Sequence, residues 1–296
     1  MLTRRSFIQQ SSVLAAALMI DKSNLFKMHK DLGLQLYTVR DEINKTKDLS
    51  ATIGQVAAAG YKQIELYGYN AERKFFGKTV KEFSAILKQH NLKTPSGHYG
   101  IADMTYGADY NWDSWKYLIE DALVLGNKYI VIPYMDDKHR TPDDFKRLAE
   151  RLNKGGELSK AAGLTTGYHN HWFEFDAMGD TTAYEYLLTH TDPALVKFEM
   201  DLYWFANAGQ DPIAWIKKHP GRYPMWHIKD MEAKTDGQAK GQTCEVGQGI
   251  IDWKSIFAHQ AEAGVDYAFV EQEQYRRPVF ECIKISADYM KKNLLA

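Results

Sequence analysis

The chain has 296 residues, with 37 Lys and Arg set against 38 Asp and Glu for a net charge of −1. That balance leaves no basic surface excess, so neither nucleic acid nor an anionic membrane is an expected partner. Hydrophobic content of 45% and charged content of 25% suit a globular chain with a sizeable core.

The N-terminus reads as a targeting element. Arg4 and Arg5 precede Ser6, Phe7 and Ile8, a mild apolar segment runs from Ser11 to Ile20, and no acid occurs before Asp21. The apolar run is too short to span a bilayer. Its paired arginines resemble a twin-arginine export signal. Residues 1–28 are therefore expected to direct export to the periplasm, and residues 29–296 to fold as one unit. Cys244 and Cys282 make neither a disulfide framework nor a CxxC metal site, which leaves one bridge or two thiols open.

Past residue 30 one phrase recurs: an amphipathic helix, a small residue, then an apolar run. Ala57-Ala-Ala-Gly-Tyr-Lys-Gln-Ile-Glu-Leu-Tyr67 is the first clear case, and Leu125-Gly-Asn-Lys-Tyr-Ile-Val-Ile-Pro-Tyr134 is the next. Glycine just past a helix suits a left-handed cap, and a strand follows within a few residues. Strands are predicted at about 31–37, 61–67, 92–98, 128–134, 164–171, 196–201, 223–229 and 266–271. Helices are predicted at about 48–59, 79–90, 111–125, 142–162, 182–189, 211–219, 252–263 and 277–293. Eight alternations argue for a single (β/α)8 TIM barrel. The rival, an open doubly wound sheet, usually carries a glycine-rich turn after its first strand, and Tyr37-Thr-Val-Arg-Asp41 has no glycine.

Working residues of such a barrel lie at the C-terminal strand ends. In order these are Gln35, Tyr37, Glu65, His98, Tyr134, His169, Asn170, His171, Glu174, Glu199, Asp201, His227, Lys229, Asp230, Glu271 and Glu273. Burying so many polar groups unpaired is costly, so convergence on a ligand is the simpler reading. Alternation puts Glu199 with Asp201, His227 with Lys229, and His169 with His171 on common faces.

Asp201, His227 and Glu271 end three consecutive strands, and their mixed oxygen and nitrogen donors suit Mn²⁺, Zn²⁺, Co²⁺ or Mg²⁺. A metal-free network of paired acids and bases is the alternative. In Tyr168-His-Asn-His-Trp-Phe-Glu-Phe175, His169 and His171 could be ligands, proton shuttles or partners of sugar hydroxyls. Trp204 could stack on a sugar face or pack the rim. The two glycines of Glu245-Val-Gly-Gln-Gly-Ile-Ile-Asp-Trp253 would let backbone amides approach an anion or hydroxyl, with Asp252 as a helix N-cap.

These motifs, together with Gly33-Leu-Gln-Leu-Tyr-Thr-Val-Arg40, Met200-Asp-Leu-Tyr-Trp204, His227-Ile-Lys-Asp230 and Val270-Glu-Gln-Glu273, resemble those of the xylose isomerase-like barrel superfamily, over about residues 31–293. The resemblance implies a divalent metal held by acids on strands five, six and eight and a histidine on strand seven. Asp201, His227 and Glu271 match the last three. The fifth-strand position falls near His169, so the fourth ligand is open among His169, His171 and Glu174. His169, His171, Lys229 and Glu174 are then the catalytic candidates, and Gln35, Tyr37, Glu65, His98 and Trp204 are expected to face a small carbohydrate. The implied activity is isomerisation or epimerisation of a keto- or aldo-sugar by enolisation. A lyase or dehydratase acting on a 3-keto-glycoside or inosose is the second reading, and a non-catalytic exported sugar-binding barrel the third.

Overall fold

The computed structural model describes residues 30–295 apart from 47, 101–109 and 236, so the proposed export signal lies outside the described residues. Eight parallel strands close into a barrel. They are β1 (Gly33–Gln35), β2 (Gln63–Leu66), β3 (Lys93–His98), β4 (Tyr129–Ile132), β5 (Thr165–His169), β6 (Val196–Asp201), β7 (Met225–Ile228) and β8 (Tyr267–Val270). Each pairs with its neighbours in sequence, and β1 pairs with β8.

Helices cover the outside, and their ends follow the local chemistry. Thr141 caps Pro142–Ala161 in a reciprocal box with Asp144, and Pro142 sits in the first turn, where its missing N–H costs nothing. Gly126 and Gly264 close their helices with positive φ, at 80° and 78°. Asp252 caps Trp253–Phe257 by accepting from the Ser255 amide.

Strand alternation separates two environments. Outward residues such as Ile64, Ile130, Tyr168, Phe198, Trp226 and Val270 join the main core beneath the helices. Inside the barrel, Tyr129, Val131, Met225, Tyr267 and Phe269 form a separate apolar plug. Above that plug the inward positions turn polar, and the site begins there. Cys244 and Cys282 are buried free thiols.

The structure adds elements at the strand ends. A short helix, Arg40–Lys45, follows β1, and another, Leu202–Asn207, follows β6 at once. Antiparallel pairs of two-residue strands join Lys74–Phe75 to Lys78–Thr79, Ala177–Met178 to Thr181–Thr182, and Asp230–Met231 to Thr243–Cys244. Strand β1 ends earlier than predicted because the Gln35 side chain accepts from the Tyr37 amide and starts a 3₁₀ turn over Leu36–Val39. No helix among the described residues is long and apolar enough to cross a membrane.

Candidate metal centre

Register sets the site. Gln35 pairs with Glu65, Glu199 with His169, and Asp201 with His227, so their side chains enter the barrel in adjacent layers. Asp201, His227 and Glu271 offer ligand atoms within 4.8 Å of one another, and so do His98, His169, Glu199 and His227.

In the upper group, His227 Nδ1 lies 3.3 Å from Glu271 Oε2 and 3.8 Å from Asp201 Oδ2. His169 Nε2 approaches the same Asp201 oxygen at 3.8 Å. Asp201 is held from both sides: its Oδ1 accepts from the Trp204 amide, and its own amide donates to Asn170 Oδ1. Its Oδ2 is buried and has no hydrogen-bond partner. An orphaned carboxylate oxygen facing two imidazoles and a second carboxylate fits a divalent cation, because it otherwise carries an unmet desolvation cost. His169, Asp201, His227 and Glu271 would hold it.

The acids of the lower layer, Glu65 and Glu199, have no exposed surface. Glu65 accepts from Gln35 Nε2 at 2.9 Å and Ser96 Oγ at 2.5 Å, and faces His227 Nε2 at 2.5 Å. Glu199 Oε2 faces His98 Nε2 at 2.6 Å and His169 Nδ1 at 3.0 Å. Burial and the neighbouring Glu65 charge raise Glu199. Burial opposes the Glu65 charge too, but His98 and His227 outweigh it and hold Glu65 low.

Charge in the upper layer is also tuned. Burial lowers His169 and His171 well below the usual imidazole value, and nearby cations add to this, so both are neutral. Burial opposes a charge on Lys229, yet Glu271 and Glu273 hold it firmly cationic. Its Nζ pairs with Glu273 and lies 3.3 Å from Glu271 Oε2.

A pocket of about 510 Å³ opens above the cluster, lined by His98, His169, His171, Lys229, Glu271 and Glu273 and walled by aromatic rings. Tyr37, Tyr134, Trp172 and Trp204 belong to that wall, with Trp172 and Trp204 centroids 4.8 Å apart. Of the sequence-derived substrate residues, Tyr37, His98 and Trp204 line the pocket. Gln35 and Glu65 lie one layer below it, with no exposed surface. Glu174 is also fully buried and tied down, accepting from Tyr168 Oη at 2.8 Å and the His171 amide at 2.8 Å. Glu199, Asn170 and Glu273 also join the site, though the sequence assigns them no particular role; the face Glu199 shares with Asp201 is the signal for the first.

Glu174 gives a pH prediction. Burial raises it to about 7, against 4.5 ordinarily. A raised carboxyl stabilises the fold below its unfolded value, and that contribution is lost as pH climbs from about 4.5 through about 7. Glu174→Gln keeps an acceptor for the His171 amide and never ionises. Thermal unfolding should therefore show the variant gaining on wild type between pH 4 and pH 8, by at most on the order of 3 kcal/mol. A difference that does not change with pH would refute this.

A family model described as xylose isomerase-like TIM barrel matches residues 53–293. An inosose dehydratase of Lacticaseibacillus casei is 26% identical over 260 residues, covering 79% of this chain and 85% of that protein. A sugar phosphate isomerase/epimerase of Parabacteroides distasonis superposes with a TM-score of 0.77 at 30% identity, covering 90% of this chain and 99% of that one. A structure described as IOLI protein with a bound zinc atom shares the fold, at TM-score 0.68 and 15% identity over 88% of this chain and 97% of that one. These relatives carry enzyme names of two kinds, dehydratase and isomerase/epimerase. A closed eight-stranded barrel, its polar residues gathered at the strand ends, and a family match from the first long helix to the last agree: the chain belongs to the xylose isomerase-like TIM barrel family.

Proposed function

We propose that the chain is a divalent-metal enzyme that removes the proton next to the carbonyl of a small polyhydroxylated ketone and then expels the β-hydroxyl as water. The observation that carries this reading is the convergence of His169, Asp201, His227 and Glu271 beneath a pocket with an aromatic wall. A divalent ion held there supplies polarisation of a carbonyl and its neighbouring hydroxyl.

The remaining work falls to the chain. His171 is neutral and its ring lines the pocket, so it can take the proton. Lys229, fixed as a cation at the pocket floor, offsets the negative charge that develops on the enediolate oxygens. Burial disfavours a charge on His98, but Glu65 and Glu199 outweigh it, so His98 carries a proton for the departing hydroxyl. Trp172 and Trp204 supply apolar faces for the ring carbons. The balance is simple: C–H gives its proton to His171, C–O breaks, hydroxide leaves with the His98 proton, and no oxidant is needed.

One finding supports elimination: an inosose dehydratase relative aligns along 79% of the chain. Isomerisation is the second reading, favoured by the 30% identity to a sugar phosphate isomerase/epimerase. It shares the first step, and His171 would then return the proton to the adjacent carbon. Incubation with Mn²⁺ and an inosose in D₂O, followed by proton NMR and mass spectrometry, is expected to give a product lighter by one water. Deuterium incorporation into an isomer without water loss would favour isomerisation. No exchange at any carbon beside a carbonyl, for inososes and ketoses alike, would sink both. Residues 1–28 are proposed to export the enzyme to the periplasm; replacing Arg4 and Arg5 by Lys should leave it in the cytoplasmic fraction, and unchanged export would contradict this.

A further inference from the structure

Each histidine of the proposed centre turns one ring nitrogen toward the ion position and the other toward an acid with no exposed surface. His227 directs Nδ1 to Asp201 and Glu271 and Nε2 to Glu65 at 2.5 Å. His169 directs Nε2 to Asp201 and Nδ1 to Glu199 at 3.0 Å. An ion bound at one imidazole nitrogen leaves a single N–H on the other, and the carboxylate facing that second nitrogen accepts it. We infer that Glu65 and Glu199 are positioning residues that fix the tautomer and ring orientation of His227 and His169, and thereby set how tightly the centre holds its cation. This rests on the metal-centre reading above.

Three observations support it. Neither acid reaches the pocket, so neither can serve the substrate directly. Glu65 is itself held by Gln35 and Ser96, and His98 spans the two acids at 2.6 Å from Glu199 and 3.2 Å from Glu65. The plug just below is apolar, so the same volume could have been filled without buried charge. Carboxylates that orient metal-bound histidines raise ligand basicity and affinity. The arrangement also separates two histidines that spacing alone leaves equivalent. His169 has a carboxylate behind it, as a positioned ligand requires; His171 has none and lines the pocket.

The test measures Mn²⁺ affinity by calorimetry, and metal-free thermal stability, for the wild type and for Glu65→Met, Glu199→Met and the two Gln variants. Methionine fills similar volume without an acceptor, whereas Gln Oε1 still accepts the imidazole N–H. The Met variants should bind Mn²⁺ about 10–100-fold more weakly, with most of the loss recovered by Gln. A purely structural role would lower the melting temperature and leave the affinity of the folded protein unchanged. Affinities within twofold of wild type in the Met variants would overturn the inference; if Glu65→Met does not fold, Glu199→Met decides it. Wild type that binds neither Mn²⁺, Zn²⁺ nor Co²⁺ would instead overturn the metal centre itself.

Discussion

Asp201→Asn should lower divalent-metal affinity by at least about 100-fold, beyond the 10–100-fold typical of supporting residues, while leaving the metal-free protein as stable as wild type or more so. Asn keeps the carbonyl oxygen that accepts from the Trp204 amide, so the start of Leu202–Asn207 stays capped. It replaces Oδ2, the buried oxygen with no partner, by an amide that cannot ligate. The stability effect has a definite sign. Burial raises Asp201 to about 6, with Glu271 adding to the rise and Lys229 and His227 working against it. Ionising it therefore costs free energy in the empty protein as pH passes from the usual carboxylate value to about 6, and Asn removes that cost. Calorimetric titration with Mn²⁺ and melting curves at pH 8 check both halves. Unchanged affinity, or a large fall in metal-free melting temperature, would show that Asp201 is an internal structural acid.

The second large effect lies beside the pocket. Asp230→Ala should destabilise the fold by about 3–5 kcal/mol, because its carboxylate gathers five donors. The amides of Met231, Gly247 and Gly249 approach it at 2.8, 2.8 and 3.2 Å, Ile251 at 3.4 Å, and Trp253 Nε1 at 2.9 Å. Removing the acid leaves these N–H groups around a void with nothing to accept them. A Cβ on Gly249 would lie 2.2 Å from Asp230 Oδ1, which explains the glycine. The melting temperature should drop by roughly 2–4 °C per kcal/mol, and a loss under about 1 kcal/mol would contradict this account. The loop was expected to offer its amides to an external anion; the anion they meet is Asp230. The loop thus anchors the residue next to Lys229 and is spent on architecture.

That contrast marks where the sequence stops being informative. The barrel is legible because Gly60, Gly126, Gly163 and Gly264 punctuate the transition from helix to strand, and all four take positive φ. Asp201, His227 and Glu271 are legible as partners because three consecutive strand ends must converge in a closed barrel. Depth is not legible. A two-residue period tells which face Glu65 and Glu199 take, but the stagger of neighbouring strands decides whether they meet the pocket or support it. The Leu202–Asn207 helix is hidden because Leu-Tyr-Trp-Phe-Ala continues the apolar run of β6, and only the Asp201 cap breaks it. The two-residue strands are too short to carry any period.

One measurement bears on the central claim most directly: anomalous diffraction from crystals of the protein grown with Mn²⁺. A single strong peak bounded by Asp201 Oδ2, His227 Nδ1, Glu271 Oε2 and His169 Nε2 is the expected result. No peak within the barrel mouth, or one placed away from Asp201 and His227, would contradict it.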